Sequence, residues 1–184
     1  MRRFRLIAAL ALATALTAPA LADEAPTPAP VAAPQAASQP APRLVLAISV
    51  DQFSADLFAQ YRRHYTAGLK RLQDGAVFPS GYQSHAATET CPGHSTLLTG
   101  THPARNGIIA NNWFDPGIAR ADKRVYCSED LTDPASTSGN PVVSANLLKV
   151  PTLGEWMKRA NPATRNVAVS AKDRAVVMMG GHQI

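Results

Sequence analysis

The stretch Leu44-Val45-Leu46-Ala47-Ile48-Ser49-Val50-Asp51 decides the reading of the fold. A nearly continuous apolar run of this length suits a strand buried on both faces, the signature of a parallel sheet. It ends in a carboxylate. Open α/β sheets place their sites at the C-terminal ends of such strands, so Asp51 can serve a ligand or a metal. Taken alone it can equally be an ordinary turn or helix-capping aspartate.

On the C-terminal side, Ser54 can cap a helix running to about Arg63, and Thr66 to Gln73 form a second helical stretch with Gly75 just beyond it. Pro92 suits a helix first turn, and Ser95 to Thr99 continue to Gly100, a plausible stop. Residues 115–141, rich in Pro, Gly, Asp and Ser, read as an irregular excursion. Thr152 and Glu155 make a capping box opening a further helix. Asn166 to Ser170 then reads as a second inner strand. Strand and helix alternating in this order predict an α/β layered fold with a mainly parallel central sheet. There is no internal repeat.

On the N-terminal side, residues 1–22 have the form of a secretory signal peptide. Arg2, Arg3 and Arg5 precede a short apolar core, Leu6 to Leu16, and Ala20-Leu21-Ala22 is a small-x-small cleavage site. That core is too short to span a bilayer, which takes roughly 20 residues, so no membrane span is expected after cleavage. Residues 23–42 carry six prolines among alanines and small polar residues and read as an extended linker. The folded part, 43–184, follows.

The 184 residues are 46% hydrophobic and 17% charged, which excludes a wholly disordered chain, a collagen and a coiled coil. The net charge of +5 invites a nucleic-acid partner. Removing the three leader arginines takes Lys+Arg from 18 to 15 against 13 acidic residues, a net of +2, and that argument lapses. Export makes a Cys91–Cys127 disulfide chemically permissible, although the sequence does not say whether the two sulfurs meet.

Two further places can carry chemistry. In Thr88-Glu89-Thr90-Cys91-Pro92-Gly93-His94-Ser95, a hydroxyl stands at the start of a helix, where backbone N–H groups and the dipole favour an anion such as phosphate. Thr90 can be a nucleophile there if a base or a metal activates it, or a plain N-cap. In Ser170-Ala171-Lys172-Asp173-Arg174, two cations straight after a strand can clamp an anionic group, or belong to a solvated loop.

Ser49-Val50-Asp51-Gln52, Thr90-Cys91-Pro92-Gly93-His94, Gly107-Ile108-Ile109 with Asn111-Asn112, and Lys172-Asp173-Arg174 occur in order at compatible spacing. Together they resemble the alkaline phosphatase superfamily, most nearly its monomeric threonine-nucleophile alkaline phosphatases, with nucleotide pyrophosphatases/phosphodiesterases as more distant relatives. The resemblance runs from about 43 to 182. It implies a periplasmic or secreted phosphate monoester hydrolase, a monomer when complete, working through a phosphothreonine intermediate with two Zn2+ ions. Asp51 would be a zinc ligand, and Thr90 both nucleophile and zinc ligand. Asn111, Lys172 and Arg174 would hold the phosphoryl group of a phosphomonoester substrate. The alternatives are a phosphodiesterase of the same superfamily and a non-catalytic, degenerate phosphate-binding module.

Sulfatases share the fold, but their Cys-x-Pro-x-Arg pattern is not met, since Pro92 follows Cys91 directly and position 95 is Ser. His94 is expected to position its loop; His64, His85, His102 and His182 are expected to be solvated or structural. No aspartate of the folded part has His directly after it or four residues on, so the further Asp and His ligands of the resembled family are not found. The chain therefore reads as an N-terminal part of such an enzyme. One carboxylate and one hydroxyl cannot fill two tetrahedral zinc sites, so this part alone is expected to be inactive, with an uncovered sheet prone to aggregate.

Overall fold

The computed structural model describes residues 42–184. The expected leader and all but the last residue of the expected linker lie outside the described residues.

Local signals place the helices. α1 (Ala55–Tyr61) starts where expected: the Leu57 N–H donates to Ser54 Oγ at 3.1 Å, satisfying one of the donors a helix start leaves free. A 3-10 turn, Arg62–His64, extends it. α2 (Ala67–Gln73) follows Thr66, and Gly75 lies just past its end. α3 (Thr90–Thr99) stops at Gly100, whose left-handed φ of 65° suits glycine. α4 is one turn, Pro103–Asn106. α5 (Leu153–Ala160) opens with the expected capping box, the Thr152 N–H donating to Glu155 Oε2 at 2.8 Å. α6 spans Asp173–Gly180.

The sheet departs from expectation. Neither 44–50 nor 166–170 is a strand; both lack regular secondary structure and are largely exposed, with Leu46 72% and Val169 92% exposed. An inner parallel strand exists only with hydrogen-bonded neighbours on both edges and cover on both faces, and the described residues supply neither. The one sheet among them is two-stranded and antiparallel, β1 (Asn112–Phe114) with β2 (Arg124–Tyr126), pairing Asn112 with Tyr126 and Phe114 with Arg124. β2 falls inside the stretch 115–141 expected to be irregular; the β-favouring Val125 and Tyr126 find a partner in β1 across a loop.

The core gathers around α3, β2 and α6. Ile108, Leu148 and Met178 are buried together with Cys91, Cys127, Tyr126 and Val177, each large apolar side chain contributing about 1.5–3 kcal/mol. Cys91 and Cys127 form a disulfide with Cα atoms 6.4 Å apart. It joins the first turn of α3 to the residue after β2. Closing a loop of 36 residues stabilises by about 3–4 kcal/mol through the unfolded chain. The start of α5 is tied to the end of α6, since Thr152 Oγ1 donates to the Gly180 carbonyl at 3.1 Å and His182 Nδ1 lies 3.1 Å from Glu155 Oε1.

Gln52, directly after Asp51, has φ 62°, in the left-handed region that non-glycine residues seldom enter. There the chain turns toward the Ser54 cap.

Candidate active site

α3 begins at Thr90, with Glu89 as its N-cap residue and Pro92 in the first turn. The helix thus starts two residues before Pro92, and Thr90 is not its N-cap. Its hydroxyl is free of any capping role and donates instead to Asp51 Oδ2 at 3.1 Å, across 39 residues of sequence. Thr90 is buried, 8% exposed. Its surroundings are fixed from behind by His94, also buried. His94 Nδ1 lies 2.7 Å from the Thr90 carbonyl and Nε2 3.1 Å from Ser49 Oγ. A carbonyl only accepts, so Nδ1 donates to it, which leaves Nε2 to accept a hydrogen bond from the Ser49 hydroxyl in that tautomer.

Asp51 Oδ2 is a hub. Besides Thr90 it accepts from Lys172 Nζ at 2.6 Å, a contact spanning 121 residues. The Lys172 hydrogen bond holds the Asp51 carboxyl below its ordinary pKa, partly offset by burial and helped by the Thr90 hydroxyl. Thr90, Asp51 and Lys172 therefore stand in one cluster, in which a hydroxyl faces an ionised carboxylate.

Asn111 lies beside the same helix start. Its Oδ1 accepts the Cys91 N–H at 2.8 Å, and its own N–H donates to Glu89 Oε2 at 2.5 Å. With Oδ1 committed, the amide's remaining function is the donation by Nδ2, the polarity that a phosphoryl oxygen needs. Arg174 shares no hydrogen bond with Asp51 or Thr90 among the described residues. Its Nη1 donates to the Tyr126 hydroxyl at 3.2 Å. That bond, together with the nearby Asp173 and Asp51 carboxylates, raises its pKa further.

Sequence reasoning passed over Glu89 and Tyr126. The acid neighbouring Thr90 was a readable signal for the first. Nothing local marks Tyr126, which reaches Arg174 over 48 residues. Among the described residues, the His85 ring bonds to Gln83 and the His102 ring to Ser84.

Among the described residues no group of three or more His, Cys, Asp or Glu side chains gathers as a metal site. Asp51 and Thr90 offer one carboxylate and one hydroxyl, with an ammonium already on the carboxylate oxygen. A structural or catalytic zinc takes three or four protein donors, so this donor set by itself does not fit a two-zinc centre.

A family model described as type I phosphodiesterase / nucleotide pyrophosphatase matches residues 45–171. The chain is 67% identical over 141 residues to alkaline phosphatase PhoK of a Sphingomonas species, covering 76% of this chain and 25% of that protein. It is 62% identical over 140 residues to alkaline phosphatase PhoD of Zymomonas mobilis, covering 76% and 24%. Ectonucleotide pyrophosphatase/phosphodiesterase 1 of Saccharomyces cerevisiae is 29% identical over 106 residues, 50% of this chain and 14% of that protein. The chain thus spans about a quarter of the length of the two alkaline phosphatases.

Proposed function

Since this chain belongs to the type I phosphodiesterase / nucleotide pyrophosphatase family, within the alkaline phosphatase superfamily, we propose that it is the nucleophile-bearing portion of a phosphate monoester hydrolase. The observation that carries this reading is the Thr90 hydroxyl, in the first turn of α3, donating to the ionised Asp51. Two relatives of more than 60% identity named alkaline phosphatases favour the monoester over the diester.

Thr90 Oγ1 attacks phosphorus as its proton passes toward Asp51 Oδ2. The P–O bond to the leaving group breaks, the leaving oxygen taking the bonding pair and departing as an oxyanion or picking up a proton from water. The product is a phosphothreonine, which water then hydrolyses. The α3 start, Asn111 Nδ2, Lys172 and Arg174 neutralise the phosphoryl oxygens, and positioning plus charge stabilisation is most of what phosphoryl transfer requires. The zinc pair that the resemblance implies would draw on Asp51 and Thr90 and needs donors beyond them.

Monoester preference supplies the test. A monoester phosphate is a dianion and a diester a monoanion, so the two cations matter more for the first. In the whole protein, Lys172→Ala and Arg174→Ala should each lower kcat/KM for p-nitrophenyl phosphate by about 10²-fold and spare bis-p-nitrophenyl phosphate. Equal losses on both substrates, or diester turnover exceeding monoester turnover before mutation, favour the phosphodiesterase.

We also propose a periplasmic or secreted location, supported by the leader motif and by the Cys91–Cys127 disulfide. N-terminal sequencing of the protein recovered from the periplasm should read from Asp23; an intact Met1 in that fraction rejects cleavage.

A further inference from the structure

Arg174 stands at the entry to α6, half-buried, and its own neighbour Asp173 is the nearest carboxylate in sequence. A direct ion pair between them would turn the guanidinium away from any anion. The structure inserts Tyr126 between the two. Its hydroxyl donates to Asp173, with Oδ1 at 2.9 Å and Oδ2 at 3.0 Å, and its oxygen accepts from Arg174 Nη1 at 3.2 Å. Ser128 Oγ adds a longer bond to Asp173 Oδ2 at 3.5 Å. The tyrosine ring is buried in the core, 8% exposed, so the phenol oxygen is a fixed point.

The bond to Tyr126 uses Nη1 and no other nitrogen of the fork. Nε and Nη2 form the other edge, the one that grips two oxygens side by side. Nε is buried and has no partner among the described residues. A buried donor left without an acceptor costs about 1–3 kcal/mol, so an anion reaching this edge would recover that cost.

From this geometry we infer that Tyr126 is a positioning residue: it holds Arg174 by Nη1, keeps Asp173 from capturing the guanidinium, and so presents the Nε–Nη2 edge to the dianionic phosphoryl group of a monoester. The inference rests on the proposed role of Arg174. Tyr126 also precedes Cys127, whose disulfide partner Cys91 follows Thr90. The clamp and the nucleophile are therefore one residue away from the same covalent link.

In the whole protein, Tyr126→Phe should lower kcat/KM for p-nitrophenyl phosphate about tenfold, the loss of one hydrogen bond to a charged group. Competitive inhibition by inorganic phosphate should weaken by a similar factor, while turnover of bis-p-nitrophenyl phosphate shifts by less than about twofold. The Tyr126→Phe/Arg174→Ala double variant should be no worse than Arg174→Ala, because both act through one group. Losses that multiply, equal losses on both substrates, or no loss would overturn the inference. Should Tyr126→Phe disturb folding, Asp173→Asn keeps the ring and hydroxyl. It should give a smaller loss confined to the monoester, and an unchanged monoester rate counts against the clamp. If Arg174→Ala itself leaves phosphate inhibition intact, the failure belongs to the role of Arg174 rather than to Tyr126.

Discussion

Thr90→Ala in the whole protein is expected to remove phosphomonoester hydrolysis by about 10³-fold or more, with the fold retained. The loss follows from what the side chain does and does not touch. Its hydroxyl bonds to Asp51 and caps no helix end, so alanine deletes the nucleophile without stranding a backbone donor. Removing the nucleophile of a covalent mechanism costs several powers of ten, and what remains comes from binding and charge stabilisation alone. Thr90→Ser keeps the attacking atom and should retain part of the activity. The measurement is p-nitrophenyl phosphate turnover beside a circular-dichroism melt. A folded Thr90→Ala protein with more than a tenth of the parental rate would show that phosphate is transferred elsewhere.

The second large effect is on stability. Glu129 is fully buried, and both of its oxygens are engaged. Arg120 grips it with two nitrogens, Nη2 at 3.0 Å from Oε2 and Nη1 on Oε1. The Tyr126 N–H and Ser136 Oγ donate at 3.1 Å each. Glu129→Ala leaves the buried Tyr126 N–H and the Ser136 hydroxyl without their acceptor, while Arg120 keeps the Asp122 carboxylate and the Arg124 carbonyl. The cost is therefore that of stranded buried donors, about 1–3 kcal/mol. Urea denaturation should show an unfolding free energy lowered by that amount, with a smaller loss for Glu129→Gln. Burial pushes the Glu129 carboxyl up, but Arg120, the Tyr126 N–H and Ser136 together hold it below its ordinary 4.5. A group with a depressed folded pKa stabilises above its unfolded pKa and loses that contribution as pH falls through the folded one. Stability should therefore decline as pH drops from about 4.5 downward, more steeply in the parent than in Glu129→Gln. Parallel pH profiles would mean that Glu129 is not titrating in this way.

The features legible in the sequence are those written within a few residues. The Ser54 cap, the Gly100 stop and the Thr152–Glu155 box each need only a side chain and the next turn of backbone. The segments 44–50 and 166–170 read as strands because their composition suits burial, but a strand is a property of a pair, and composition names no partner. Asp51, Thr90 and Lys172 could be singled out by residue type. Their sharing of one carboxylate oxygen over separations of 39 and 121 residues could not. Tyr126 was invisible for a related reason: an apolar ring in a short strand looks like core, and its hydroxyl matters only once Asp173 and Arg174 are brought to it.

The left-handed turn at Gln52 also restricts how this site can vary. A backbone with φ 62° is open to glycine, tolerable for asparagine and aspartate, and costly for any β-branched side chain. The codon after Asp51 is therefore constrained by the shape of the chain, although its side chain takes no part in the chemistry proposed for its neighbour. In a lineage drifting by single substitutions, position 52 can stay narrow for a reason unrelated to catalysis. Invariance beside a catalytic residue would then report the turn that delivers it.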